Sequence, residues 1–198
     1  MIMDTIVIAT NNQNKAREFR EMFADKNIDF KTLADFPELG KIIENGESFE
    51  ENATIKAQAI FERTNLAVLA DDSGLEVPAL NNEPGIHSAR YAGDHDDDAN
   101  NKKLLAKLGD SDKRDAKFVT CLVLLNQHGE KFVVYGTIEG TILKAPRGDN
   151  GFGYDPLFYV PSKKKTMAEM SDHEKNEISH RGNAIKQLYS KFDEWWKA

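Results

Sequence analysis

The sequence predicts a mixed α/β (α+β) domain, a mixed sheet flanked by helices. Two observations point there. Short apolar runs ending in polar turns alternate with helix-periodic stretches through the first hundred residues, and two longer strand-like runs then follow each other directly. Hydrophobic residues make up 40% of the 198 and charged residues 30%, which supplies a core and argues against a disordered chain. There is no repeat, low-complexity tract or linker, so residues 1–198 are expected to form a single domain.

The elements follow in order. TIVIAT is a short apolar run and reads as a first strand rather than a signal peptide, because no basic region precedes it. After the polar TNNQNK, Phe19, Met22 and Phe23 recur at helical spacing. IDFKTL reads as a second strand, and FPELGKIIENGE as an acidic, glycine-bearing loop. SFEENATIKAQAIFERT is a helix: Ser48 and Glu51 make a capping-box pattern, and Ala53, Ala57, Ile60 and Phe61 share a face. LAVLADDSGLEV is a strand running into two aspartates, and NNEPGIHSARYAG carries turn chemistry. In DHDDDANNKKLLAKLG, Asp98 or a neighbour caps a helix that Gly109 ends. KFVTCLVLLN and KFVVYGTIEG, separated by QHGE, predict an antiparallel hairpin. RGDNGFGYDPLFYV is a glycine-rich loop feeding a short strand. The last helix sets Ala184, Ile185, Leu188, Phe192 and Trp195 on one side.

Charge and composition exclude several classes. A net charge of -7 argues against a nucleic-acid polymer as partner but leaves room for a small phosphorylated ligand. No apolar run is long enough to cross a bilayer, and a cytoplasmic location is the expectation. Cys121 is the only cysteine and lies in the apolar FVTCLVLL, as a buried thiol rather than a nucleophile. The five histidines show no metal-ligand spacing, which argues against zinc.

Five polar stretches at the ends of apolar elements are where ligand chemistry would sit. Thr10, Asn11, Asn12, Gln13, Asn14 and Lys15 join a strand to a helix N-terminus, which offers N–H groups, a positive dipole end and one full charge to phosphate. There is no Walker A loop, and a simple asparagine helix cap fits the same residues. In ADDSG, Asp71 and Asp72 must point to opposite faces; one carboxylate suits a divalent cation or a water's proton, and an Asx-turn is the plainer alternative. Glu44 offers a further carboxylate for magnesium or is a solvated loop acid, and Lys56 reaches a phosphate or snorkels. In RGDNGFGYDP, Phe152 and Tyr154 offer rings for a purine, or tuck into the core. Lys175, His180 and Arg181 gather donors, which a purine 6-keto oxygen needs and a 6-amino group does not; a charged surface turn is the alternative. The acidic run Asp94 to Asp98 reads as a solvated loop leading into a helix start.

Taken together, IVIATNNQNKAREF, GESFEENATIKAQA, ADDSGLEVPAL with PGIHSARYAG, APRGDNGFGYDPLF and KTMAEMSDHEKNEISHRGNA resemble the inosine triphosphate pyrophosphatase family, the XTP/dITP diphosphatases. The segments run in family order from residue 6 to residue 184. The resemblance implies an elongated mixed sheet in two lobes with a cleft between them, usually a homodimer. It implies that Thr10 to Lys15 hold the triphosphate with Lys56 as helper. Asp72 is then the proton acceptor and a magnesium ligand, Glu44 a second ligand, Asp71 a reserve ligand and Ser73 a substrate contact. Phe152, Gly153, Tyr154 and Asp155 match the base-proximal segment, and Lys175, His180 and Arg181 the residues that recognise a 6-keto base. One position departs: the family usually has Gly where this chain has Asn11, a residue that tolerates left-handed backbone better than most.

The implied reaction takes ITP, dITP or XTP and water to the monophosphate and pyrophosphate with Mg2+. The alternative is a nucleotide-sensing module that binds in the same cradle without turnover.

Overall fold

The computed structural model describes residues 4–11, 13–94 and 96–196, apart from the Asn14 side chain. Asn12 therefore lies outside the described residues, as does the side chain of Asn14. Among the described residues eight strands, β1 (Asp4–Ile8), β2 (Ile28–Thr32), β3 (Ala67–Val77), β4 (Glu83–Pro84), β5 (Asp115–Leu125), β6 (Lys131–Ile142), β7 (Phe158–Val160) and β8 (Lys165–Thr166), form one sheet. Its order is β2-β1-β3-β5-β6-β7-β8, with β4 paired to β3. The helices are α1 (Gln13–Met22), α2 (Phe49–Thr64), α3 (Asp97–Leu108), α4 (Asp172–Ile178) and α5 (His180–Trp196).

The sheet is mixed, as expected. β1 pairs in parallel with β2 and β3, which needs the crossover helices α1 and α2, while β6, β7 and β8 pair antiparallel, β6 to β7 across the long glycine-rich loop 143–157 and β7 to β8 across the short turn 161–164. β5 and β6 are sheet neighbours joined by the turn 126–130, where the hairpin was expected.

Two compact units divide the chain: Met1–Asp72 with Thr120–Gly136 and Asn183–Ala198, and Ser73–Val119 with Thr137–Gly182. Each has its own core. In the first, Ile6 and Ile8 of β1, Phe19 of α1, Leu69 of β3, Leu122 and Leu124 of β5 and Ala184, Ile185, Leu188 and Phe192 of α5 pack together. The face predicted for the last helix is thus the buried one, and Trp195 packs half-buried at its edge. In the second, Leu75 and Val77 of β3, Leu104 and Leu108 of α3, Phe118 of β5 and Leu157 and Phe158 gather around Tyr154 and Met167. Cys121 is buried, and burial pushes its thiol up to about 11, so it is an inert core residue.

Local signals explain the helices that carry functional side chains. Ser48 caps α2, its Oγ accepting from the Glu51 N–H, and the Glu51 carboxylate accepts instead from Glu47 N–H at 2.7 Å, one residue before the usual capping-box partner. Ala53, Ala57 and Ile60 are buried along α2. Asp96 caps α3 by accepting from Ala99 N–H, and Gly109 closes it at a φ of 51°. β3 differs from expectation. It does not end at the aspartates but runs on through Asp71, Asp72, Ser73 and Gly74 to Val77, because Leu75 and Val77 bury their side chains fully and extend the apolar alternation beyond them.

Candidate functional site

In the first unit, Ala9 N–H donates to Leu69 O at 2.8 Å, which ties the end of β1 to β3 where the aspartates follow. The polar loop then leaves through buried Thr10 and exposed Asn11 into α1, which opens at Gln13. Within the first turn of α1, Lys15 Nζ sits 2.6 Å from Asp71 Oδ2, and Asp71 is only 4% exposed. A charged pair this close and this buried fixes the ammonium at the β1–α1 connection rather than leaving it in solvent.

Strand alternation separates the two aspartates, as the sequence required. The Asp71 carboxylate meets α1 through Lys15, while the Asp72 carboxylate meets α2, accepting from Asn52 Nδ2 at 3.1 Å. Lys56, four residues after Asn52 and so on the same helix face, donates to the Asp71 carbonyl at 2.8 Å and lies 3.1 Å from Glu44 Oε1. Glu44 is thereby brought to the strand bearing Asp72. Asn52, 1% exposed, holds this loop from its other end: its Oδ1 accepts from Gly46 N–H at 2.9 Å. A Cβ on Gly46 would stand 2.7 Å from Glu51 Cβ and 2.9 Å from Asn52 Oδ1, so only glycine allows the loop this approach.

Electrostatics single out Asp72. Burial pushes its carboxyl from the ordinary 3.8 up to about 6, against the downward pull of Lys56 and of the Asn52 hydrogen bond; Glu44 and Asp71 add to the upward push. A carboxyl poised there exchanges a proton near neutral pH, which an ordinary surface aspartate does not.

Among the described residues, no group of three or more His, Cys, Asp or Glu side chains gathers as a metal cage. Magnesium does not require one, since it keeps waters and is held by one or two carboxylates together with substrate phosphates. The pair predicted for it, Glu44 and Asp72, consists of hard oxygen donors close enough for the Glu44 charge to raise the Asp72 pKa. That mutual repulsion is relieved by a cation, so the donor set fits.

In the second unit, Ser73 follows in β3, half-buried. The glycine-rich stretch folds over the buried Asp155 carboxylate. Its Oδ2 accepts from Phe152 N–H at 2.9 Å and from Lys175 Nζ at 2.5 Å. A Cβ at Gly151, φ 81°, would meet that same oxygen at 2.1 Å. Phe152 stays open, 48% exposed, with the Lys175 ammonium 4.5 Å from its ring centroid. Tyr154 goes the other way. Its ring is in the core and its hydroxyl donates to Ser88 O at 2.8 Å, which leaves Phe152 as the ring of the pair that an incoming base can meet. His180 and Arg181 open α5 at 7% and 4% exposure, and the His180 ring stacks on Phe118 at 4.9 Å. They are therefore held donors and not the charged surface turn that composition alone allows. Gly182 belongs to the same packing, because a Cβ there would stand 1.9 Å from Asn176 O.

The fold thus gathers Lys15, Asp71, Asp72, Lys56 and Glu44 in one unit, and Phe152, Gly153, Asp155 and Lys175 in the other. Asn52 is the residue that reasoning from the sequence missed. Its signal was present in the spacing of four to Lys56 and in a polar residue at a position where α2 buries its face.

Comparison with known proteins identifies the family. A model of the Ham1 family matches residues 6–191. The chain is 60% identical over 194 residues to the dITP/XTP pyrophosphatase of Lactiplantibacillus plantarum, covering 97% of this chain and 96% of that protein. It is 49% identical to the Bacillus cereus dITP/XTP pyrophosphatase, covering 98% and 97%. Among solved structures, the Staphylococcus aureus Ham1 protein superposes with a TM-score of 0.90 at 46% identity, over 97% of this chain and all of that one. A HAM1 protein from Coxiella burnetii gives 0.92 at 43% identity, again over 97% of this chain and all of that one.

Proposed function

The chain belongs to the Ham1 family, and from that premise we propose that it hydrolyses non-standard purine nucleoside triphosphates (ITP, dITP and XTP) to the nucleoside monophosphate and pyrophosphate, clearing them from the nucleotide pool. The observation that carries the reading is the Asp72 carboxyl. It is held at about 6, hydrogen-bonded by Asn52, with Lys56 and Glu44 acting on it and Lys15 paired to the aspartate beside it.

In this reading Asp72 is the catalytic residue. It orients a water and takes its proton as the water oxygen bonds to the α-phosphorus. The bond from that phosphorus to the bridging oxygen breaks, and its electron pair leaves on pyrophosphate. Lys15, Lys56 and the polar connection that leads from Thr10 into the N-terminus of α1 hold the pyrophosphate oxygens, where negative charge grows. Glu44 and Asp72 would hold Mg2+, which when bound neutralises phosphate oxygens and so lowers the cost of that charge. Asp71, already paired to Lys15, positions the lysine. Ser73 is a further substrate contact.

Base recognition falls to the second set. Phe152 offers a ring face; Lys175, His180 and Arg181 offer donors. A 6-keto purine accepts from them, whereas adenine turns an amino group, itself a donor, towards them. The same reading makes residues 1–198 one catalytic domain that acts as a cytoplasmic homodimer.

The test is pyrophosphate release over a panel of ITP, dITP, XTP, ATP and GTP, with and without EDTA. Release is expected from the first three, strongly preferred over ATP and abolished by chelation. Equal turnover of ATP, or full activity in EDTA, would refute the assignment.

A further inference from the structure

Gly153 lies between the exposed Phe152 and the buried Tyr154 at a φ of 62°. Both of its backbone polar groups are taken by one helix. Its N–H donates to Asp97 Oδ2 at 2.7 Å, and its carbonyl accepts from Asn101 Nδ2 at 2.8 Å. Asp97 and Asn101 are four residues apart in the first turns of α3, so one helix face presents an acceptor and a donor in register with a single peptide residue. The other amide atom, Asn101 Oδ1, is buried without a hydrogen bond. The fold bears that unsatisfied acceptor at a side chain whose donated bond goes to Gly153, and such exceptions call for a reason.

The reason lies in what Gly153 separates. Downstream, Tyr154 is locked in the core and the Asp155 carboxylate is fixed by Lys175. Upstream, Phe152 has its N–H on Asp155, and its ring stands in the open under the Lys175 ammonium. Gly153 is left-handed, and a Cβ there would point into open space with nothing within 4 Å. The two hydrogen bonds from α3 fix both of its peptide groups and, together with the bonds between Phe152 and Asp155, the direction in which Phe152 leaves the loop.

We propose that Asp97 and Asn101 are positioning residues for purine recognition: by clamping both sides of Gly153 they aim the Phe152 ring at the base, beside the Lys175 ammonium that Asp155 holds, without touching it. This rests on the reading of Phe152, Lys175 and Arg181 as the base site. Loss of the clamp leaves the water, the carboxylates and the triphosphate contacts in place. It therefore weakens binding of the ground state and transition state alike and appears in KM.

The experiment compares D97A/N101A, D97A and D97N with wild type for ITP and ATP hydrolysis, with thermal melting alongside and R181A as reference. D97A/N101A should raise KM for ITP about 5- to 10-fold with kcat within about 2-fold, and lower the ITP-to-ATP ratio of kcat/KM. D97A should show a smaller change of the same kind. D97N, whose amide oxygen still accepts from Gly153, should stay near wild type. An unchanged KM and ratio in D97A/N101A overturns the proposal, and so does D97N behaving as D97A, which would trace the effect to charge at the start of α3. If the double variant fails to fold, D97A against D97N decides alone, since Asp97 is exposed. R181A separates the two levels: should it leave the ITP-to-ATP ratio untouched, the base site itself is misplaced, whereas a drop there without one in the clamp variants sinks the clamp only.

Discussion

Replacing Asp72 with Asn should make the metal-free protein more stable while nearly abolishing turnover. Burial raises this carboxyl from 3.8 to about 6, so above pH 6 the folded state carries a charge it would rather not hold. That difference corresponds to about 3 kcal/mol at pH 7.5. Below 3.8 the group is protonated in folded and unfolded chains alike and the penalty vanishes. Between the two values the folded chain binds more protons, so stability declines as pH rises. Asn removes the charge, keeps the shape and can still accept from Asn52 Nδ2. Melting followed in EDTA should therefore place D72N about 6–12 °C above wild type at pH 7.5, with the gain worth about 1 kcal/mol or less by pH 4.5. Turnover with magnesium should fall by about 100-fold or more. A variant that melts at or below wild type at pH 7.5, or gains equally at both pH values, would refute the claim that a desolvated charge sits at Asp72. Turnover within a few-fold of wild type would remove Asp72 from catalysis.

Three further outcomes follow from the same geometry. N52A removes the bonds to both Gly46 and Asp72 and should cost about 1–3 kcal/mol in urea unfolding, with a weaker magnesium requirement curve than wild type; an unaltered half-saturating magnesium concentration would show that Asn52 does not set the Glu44 loop. S48A deletes the α2 cap and should cost about 1 kcal/mol, read as a lower urea midpoint at unchanged slope. R181A should lower kcat/KM for ITP far more than it lowers the melting temperature, and unchanged preference for ITP over ATP would place base recognition elsewhere.

Most of the fold was legible because its signals are local. The cap at Ser48, the stop at Gly109 and the stripe Ala184, Ile185, Leu188, Phe192 each depend on residues within a few turns of one another, and each is where periodicity puts it. The continuation of β3 past Asp71 and Asp72 was not legible, because two adjacent carboxylates signal a turn unless something pairs them. What pairs them comes from far along the chain: Lys15 reaches Asp71 across 56 positions, and Asn52 reaches Asp72 across 20. The same limit explains Tyr154. Its motif offered two aromatic rings for a base, and only the Ser88 carbonyl, 66 positions away, decides which of them is buried.

Each of the three lysines read from the sequence as ligand contacts is already held by a carboxylate: Lys15 by Asp71, Lys56 by Glu44, Lys175 by Asp155. A free lysine head loses about 2 kcal/mol of rotamer entropy when a ligand fixes it. Here part of that loss is borne on folding, because the ammonium groups stand in place before any phosphate or base arrives. An ammonium has three donors, so one bond to a carboxylate leaves others to offer. On the proposed reading the acidic partners therefore aim the lysines without consuming them. Glu44 differs from Asp71 and Asp155 in its greater exposure, 27% against 4% and 5%. It is the partner best able to exchange its lysine for a cation, which is the behaviour a magnesium ligand requires and a purely positioning carboxylate does not.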